Sequence, residues 1–268
     1  MKDVRAKKHL GQHFLIDQTI AERTANALFP PGSLVALSNS GNKLLEIGPG
    51  MGILTKYLLH RADFDVHAIE LDQESIEYLK RSKLLPENKL IEGDFLKLDF
   101  DAFSDRPFSI VGNFPYNISN MIMFRVFENR DKIAQISGMF QHEVAERITS
   151  KPGKKAYGIL SVFIQAFYTA EYMFVVGPEV FNPPPKVKSA IIRLVRNDVK
   201  KLNCTEKLFI TVVKTAFNQR RKMLSNSLKS MLGEHKIASE IMNKRPEQLS
   251  VAEFEMLTNT IEKLTQNQ

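Results

Sequence analysis

A single cysteine, Cys204, stands in this chain of 268 residues. That excludes an intrachain disulfide and leaves no thiolate cluster for a metal. Cys204 reads as the small buried or half-buried residue of a cytoplasmic protein rather than as a nucleophile. No apolar run approaches the roughly 20 residues that a membrane-spanning helix requires. The first nine residues, Met1 to His9, are polar and basic with no apolar segment behind them, so no secretory signal is expected there. Internal repeats and low-complexity tracts are also lacking. Acidic residues are outnumbered, 30 against 37 lysines and arginines, for a net charge of +7, which favours a polyanionic partner.

What is present is ordinary globular material. Hydrophobic residues make up 43% and charged residues 25%, values that exclude wholesale disorder. The length suits one large domain with an appendage, or two small ones. The positive charge is unevenly placed. Between Pro183 and Leu232 twelve basic residues face only Asp198 and Glu206, a local net of +10. Lys2, Arg5, Lys7 and Lys8 add a basic arm at the start. Two basic segments flanking a neutral body suggest a footprint for nucleic acid.

Along the first two-thirds, short β-rich runs alternate with helical patterns, the signature of a mostly parallel sheet covered on both faces. Strands are expected at 43–47, 65–71, 89–93, 108–112, 133–140, 172–176 and 187–195, with amphipathic helices at 53–60, 75–84 and 156–167. The last two strands, joined by a short link, would pair antiparallel. After about Asn197 no strand pattern remains, and the chain reads as a helical cluster with a basic start. Ser250 and Glu253 have the spacing of a capping box that opens the last helix. The domains expected are 1–198 and 199–268.

Chemistry-bearing residues fall where these strands end. The first strand runs into Gly48-Pro49-Gly50-Met51-Gly52, whose glycines permit a sharp turn close to a ligand. Its spacing is not the G-x-G-x-x-G of dinucleotide sites. Glu70 ends the next strand, 22 residues after Gly48, where an acid can accept from ribose hydroxyls. Gly93-Asp94 ends the third. The fourth strand ends in Asn113-Phe114-Pro115-Tyr116-Asn117-Ile118-Ser119. Asn113 offers a carbonyl acceptor, Pro115 a fixed backbone angle and Tyr116 a stacking face. Such a cluster suits a flat, amino-bearing ring, although the same residues also make a plain strand-to-helix turn.

Taken together, these four strand ends resemble the class I S-adenosylmethionine-dependent methyltransferases. The resemblance implies a Rossmann-like α/β fold with a seven-stranded sheet, here followed by a small all-helical domain. It implies that Gly48 and Gly50 lie under the methionine part of S-adenosylmethionine, that Glu70 holds the ribose, and that Asp94 and Phe95 meet the adenine. Asn-Phe-Pro-Tyr is similar to the fourth motif of enzymes that methylate exocyclic amines of nucleobases. On that likeness the Asn113 side-chain carbonyl and the Pro115 backbone carbonyl hold the amine hydrogens while Tyr116 stacks on the base. Three further segments narrow the likeness. Lys8-His9-Leu10-Gly11-Gln12-His13-Phe14-Leu15 resembles the N-terminal motif of the ribosomal RNA adenine dimethylases, which folds over the cofactor and brings Gln12, His13 and Leu15 to it. Val180 to Ser189, with Phe181 and three prolines, resembles the segment whose Phe forms the opposite wall of their base pocket. Phe217 to Leu224 is similar to their helix start, in which Arg220, Arg221 and Lys222 meet phosphates. His13 and Phe114 depart from the commoner Asn and Leu.

Membership of the small-subunit ribosomal RNA adenine dimethyltransferases would make this a cytoplasmic, metal-free, monomeric enzyme of ribosome biogenesis. It would dimethylate two adjacent adenosines near the 3′ end of 16S rRNA within an assembling small subunit. The alternatives are a 23S rRNA adenine dimethylase of the macrolide-resistance type and a non-catalytic ribosome assembly factor on the same scaffold.

Overall fold

The computed structural model describes residues 4–34 and 38–266, so Lys2 of the basic arm lies outside it. Nine strands are present among the described residues: β1 (Phe14–Leu15), β2 (Lys43–Ile47), β3 (Asp65–Glu70), β4 (Leu90–Glu92), β5 (Phe108–Asn113), β6 (Ile133–Gln141), β7 (Tyr168–Val176), β8 (Phe181–Asn182) and β9 (Ser189–Arg196). Seven of them form one sheet in the order β4-β3-β2-β5-β6-β9-β7, while β1 and β8 pair separately. The contacts β4–β3, β3–β2, β2–β5 and β5–β6 are parallel, and β9 runs antiparallel to β6. This is the class I methyltransferase architecture. From β2 the chain builds outward through β3 and β4, then returns to build the other way through β5 and β6. That reversal opens a crevice beyond the carboxyl ends of β2 and β5, where open α/β sheets bind ligands.

Burial explains why these strands hold. β5 and β6 are buried along almost their whole length, as expected of strands covered on both faces. Phe100, Phe103 and Phe108 pack edge to face beneath β5, with ring centroids 4.8 and 5.4 Å apart, a geometry favoured by the ring quadrupoles. The helix Gln18–Asn26 is capped by Asp17, whose Oδ1 accepts the Ile20 N–H at 2.9 Å. Its other end delivers the Ala25 and Ala27 carbonyls to Arg61 and Arg193, at 2.8 and 3.0 Å, cations suited to the negative end of a helix.

The chain forms two compact units, one of residues up to Ala145 with Thr169–Asn197 and one of Glu146–Tyr168 with Asp198–Gln268. The chain passes from the first unit to the second for the last time after Asn197, and 146–168 joins the helical unit. The reason is visible in the helix Ile159–Phe167, shorter than the expected 156–167 and buried nearly all round rather than on one stripe. Within that unit Phe163 meets Phe209 and Phe217 meets Phe254 at 6.3 and 6.0 Å. Gln165 Nε2 donates to the Ile148 and Ser150 carbonyls at 2.8 Å. The capping box is formed: the Glu253 N–H donates to Ser250 Oγ at 3.2 Å, and the Ser250 N–H to Glu253 Oε2 at 2.8 Å. Cys204 is buried, and burial with three nearby glutamates pushes its thiol up to about 11, far from a nucleophilic thiolate. No described helix is long and apolar enough to cross a membrane.

Candidate active site

The turn after β2 is made by its glycines. Gly48, Gly50 and Gly52 have φ of 66°, 57° and 79°, in the left-handed region where a side chain is strained. At Gly50 the requirement is double, because a Cβ would stand 2.9 Å from ring atoms of Phe14. Neighbouring β3 holds the turn in place. The Gly48 N–H donates to the Ile69 carbonyl at 2.9 Å, and the Gly50 N–H donates to Glu70 Oε2 at 3.0 Å. Glu70 Oε1 accepts from the Leu71 and Asp72 N–H groups, both at 2.9 Å. Burial raises the Glu70 carboxyl above its usual range against the pull of these three bonds. Glu70 therefore braces the glycine turn while it lines the cavity above it.

A strap of residues 4–16 borders that cavity through Leu10 to Phe14. Lys7 Nζ pairs with Asp72 and lies 3.5 Å from Glu74, while the Lys7 N–H donates to Gln12 Oε1 at 2.8 Å. Burial opposes ionisation of Asp72, but Lys7, Ser75 and Gln12 together hold its carboxyl below the ordinary range. On the far side Asn117 Nδ2 donates to the His9 carbonyl at 3.3 Å. Beyond it β1 pairs antiparallel with β8, Phe14 opposite Asn182 and Leu15 opposite Phe181.

The end of β5 presents the polar and aromatic cluster. Phe114 turns inward and is fully buried against Phe140, centroids 4.7 Å apart. It fits because Gly138 of β6 has no side chain; a Cβ there would lie 2.3 Å from the Gly112 carbonyl and 2.5 Å from Phe114. Asn113, Pro115 and Tyr116 line the cavity. Asn113 Nδ2 donates to the His13 carbonyl at 2.8 Å. Because a carbonyl only accepts, this contact fixes the amide with its nitrogen toward His13 and leaves Oδ1 as the available acceptor. The Pro115 carbonyl closes a turn by accepting the Ile118 N–H at 3.2 Å and keeps a second lone pair. The Tyr116 phenol shares a hydrogen bond with Ser189 Oγ, and burial raises its pKa.

One cavity of about 300 Å³ gathers most of the residues singled out in the sequence: Gln12, His13, Gly48, Gly50, Glu70, Asp94, Phe95, Asn113, Pro115 and Tyr116. Its polar side chains include the acceptors Glu70, Asp94 and Asn113. Asp94 Oδ1 also caps the turn that follows it, accepting the Leu96 N–H at 2.9 Å. Acceptors of this kind beside the apolar walls of Phe95, Ile118 and Met121 suit a ligand with hydroxyl groups, positive charge and a flat ring.

Three expectations read differently in three dimensions. Leu15 is buried in a smaller cavity under the glycine turn. Phe181 does not line the main cavity. The β1–β8 pairing sinks its ring, 2% exposed, into an apolar cluster with Leu15, Met139 and Ile191. Arg220 is directed into its own unit, where it bonds the Lys155 carbonyl and lies 3.9 Å from Glu247. Arg221 and Lys222 are exposed. Sequence reasoning missed the Lys7–Asp72 and Asn117–His9 anchors, for which no local signal exists. It also passed over the role of Ser189, although the residue ends the proline-rich segment from Val180. Nor did it single out Glu46, fully buried below the glycine turn, where Oε2 accepts the Thr55 hydroxyl at 2.6 Å and burial pushes the carboxyl up to about 8.

Known proteins resemble this chain in sequence and in fold. The family model described as ribosomal RNA adenine dimethylase matches residues 4–263. "Ribosomal RNA small subunit methyltransferase A" of Flavobacterium johnsoniae is 53% identical over 264 residues, 98% of each chain. The protein of that name from Cytophaga hutchinsonii is 51% identical over 264 residues, covering 97% of this chain and 99% of its own. Among solved structures, a dimethyladenosine transferase from Plasmodium falciparum superposes with a TM-score of 0.75 at 25% identity, covering 94% and 98% of the two chains. The 23S rRNA methyltransferase ErmE gives a TM-score of 0.66 at 26% identity, covering 92% and 99%.

Proposed function

The chain belongs to the ribosomal RNA adenine dimethylase family, and from that membership we infer that it is an adenine methyltransferase of small-subunit ribosomal RNA. Its substrate on this reading is a pair of adjacent adenosines near the 3′ end of 16S rRNA. Each receives two methyl groups on the exocyclic amine during small-subunit biogenesis in the cytoplasm. The enzyme works as a monomer and without a metal. The sheet-bearing part, taken as 1–198, carries catalysis. The helical part, 199–268, holds the ribosomal particle, with Arg221 and Lys222 offered to phosphates and Arg220 keeping that turn in shape.

S-adenosylmethionine fits the acceptor-rich cavity. Glu70 would take its ribose hydroxyls and Asp94 with Phe95 its adenine, while the bare backbone of Gly48 and Gly50 allows close approach. Gln12, His13 and Leu15 belong to the strap that excludes water. When bound, this cofactor supplies an electrophilic methyl group on a sulfonium.

The chain's own task is to make a poor nucleophile react. An exocyclic amine delocalises its lone pair into the ring. Asn113 Oδ1 and the Pro115 carbonyl accept its two hydrogens and favour a nitrogen geometry with the lone pair free of the ring. The same acceptors stabilise the positive charge that the amine gains as its new bond forms, which is catalysis by positioning and electrostatics. Tyr116 supplies the stacking face that an extruded base requires.

The observation that carries this reading is the Asn113 Nδ2 bond to the His13 carbonyl at 2.8 Å, which leaves the amide oxygen to accept. Labelled cofactor with undermethylated small subunits should yield dimethyladenosine in small-subunit RNA. Its absence would refute the enzymatic reading, and label in large subunits would replace the substrate. Asn113→Ala should leave cofactor affinity intact and slow transfer by roughly 10²–10³-fold, the scale of losing one preorganised polar contact.

A further inference from the structure

His13 touches three walls of the reaction centre. Its carbonyl accepts Asn113 Nδ2 at 2.8 Å. Its ring stacks on Tyr116, centroids 5.5 Å apart and planes inclined by 30°. Its Nδ1 lies 2.8 Å from the Pro183 carbonyl; since that oxygen only accepts, Nδ1 carries the proton. The far end of Tyr116 is held as well, because its phenol bonds Ser189 Oγ and Ser189 is fully buried. The tyrosine is thus fixed on its face by one residue and at its hydroxyl by another. These contacts concern the target side of the cavity, whereas the resemblance assigns His13 to the cofactor.

Resting on the roles given above to Asn113 and Tyr116, we propose that His13 is a positioning residue for the target adenine rather than a cofactor ligand. Its carbonyl orients the Asn113 amide, its ring sets the plane of Tyr116, and its Nδ1 ties the proline-rich 181–185 segment to the pocket. Ser189 completes the arrangement from the opposite end of the tyrosine. Preorganisation of this kind lowers the ordering cost when the base arrives and aligns the amine for attack.

Substitution separates the backbone role from the ring's. His13→Ala keeps the carbonyl that orients Asn113 but loses the stack and the Pro183 bond. His13→Phe restores a ring without the donor, and His13→Asn restores a donor without the ring. The measurements are cofactor affinity by calorimetry and steady-state transfer to undermethylated small subunits, all with the full chain. His13→Ala should leave the cofactor Kd within about twofold while kcat/KM for the particle falls by roughly tenfold or more, the scale of one aromatic contact and one hydrogen bond. His13→Phe and His13→Asn should each recover part of that loss. Ser189→Ala and Tyr116→Phe should each lower kcat/KM, and the double variant should be no worse than either, since both remove the same bond. Matching melting midpoints would exclude a folding defect. Should His13→Ala melt early, His13→Phe and His13→Asn decide the proposal in its place, by the same comparison of cofactor Kd with kcat/KM.

A cofactor Kd that weakens in step with transfer in His13→Ala, or in the conservative variants, would overturn the proposal; fully multiplicative losses in the Ser189/Tyr116 pair would overturn the part given to Ser189. The underlying reading fails separately. If Asn113→Ala turns over at the wild-type rate, the assigned reaction centre is wrong. If Asn113→Ala is inactive while His13→Ala is normal, only the role of His13 falls.

Discussion

Replacing Glu46 by glutamine should stabilise the protein, and by more as pH rises from 6 to 8. Glu46 is 1% exposed at the end of β2, and its Oε2 accepts the Thr55 hydroxyl at 2.6 Å. Burial, with a smaller push from the charge of Glu70 and against the Thr55 bond, lifts its pKa from 4.5 to about 8. The folded protein therefore keeps a proton that the unfolded chain releases above pH 4.5. For an acid shifted upward, the stability is complete below the unfolded pKa and is lost as pH climbs through the folded one. The slope is ~1.4 kcal/mol per pH unit and halves as pH reaches the folded pKa, so roughly 2 kcal/mol separates pH 6 from pH 8. Glutamine has nearly the same shape, still accepts from Thr55 and does not titrate. Urea unfolding of both proteins at pH 6, 7, 8 and 9 should show a gap that widens up to about pH 8 and is flat beyond. A gap independent of pH, or a less stable variant at pH 8, would refute the assignment of a neutral buried acid under the glycine turn.

Other consequences are simpler to state. Gly138→Ala would push a methyl into the Gly112 carbonyl and the Phe114 ring, at 2.3 and 2.5 Å. Overpacking against backbone should cost about 3 kcal/mol or more, read as a lower urea midpoint; a wild-type midpoint would contradict the β5–β6 geometry. Lys7→Ala releases the strap from Asp72 and should speed cofactor dissociation roughly tenfold, the scale of one charge-assisted hydrogen bond, in stopped-flow displacement. An unchanged off-rate would mean that the strap does not retain the cofactor. Ser250→Ala removes the cap of the helix Val251–Gln266 and should cost about 1 kcal/mol. Hydrogen exchange should find that loss in the first turn of the helix, and uniform exchange across the unit would argue against it.

The strand ends were legible because each is a local event. Ile47, Glu70 and Asn113 close β-rich runs in the sequence, and a parallel sheet brings the carboxyl ends of such runs to one edge. The short link between the last two expected strands pointed to a return, whereas the antiparallel pairing of β9 with β6 and its insertion between β6 and β7 depend on sheet order. Nothing in the pattern of the 159–167 helix says which core buries it, because a helix apolar nearly all round carries no directional stripe. The β1–β8 ladder was out of reach for another reason. Two residues give no periodicity, and their partners, Asn182 and Phe181, lie 168 and 166 positions away along the chain.

Motif residues divide in a way that spacing alone does not express. Arg220 and Phe181 stand in segments to which the family resemblance gives phosphate and base contacts, yet one is bound to the Lys155 carbonyl and the other is sunk into the apolar cluster with Leu15. Glu70 does both jobs at once, bracing Gly50 with one oxygen and the Leu71–Asp72 backbone with the other while bordering the cavity. The decisive distinction is which lone pairs and donors remain after the protein has satisfied its own polar groups. By that measure Asn113 is the residue set apart: its nitrogen is committed to the strap, and its oxygen is the acceptor that the proposed function gives to the substrate amine. In the proposed reaction, the orientation of Asn113 at the end of β5 is therefore held by a residue a hundred positions earlier in the chain, through a single backbone carbonyl.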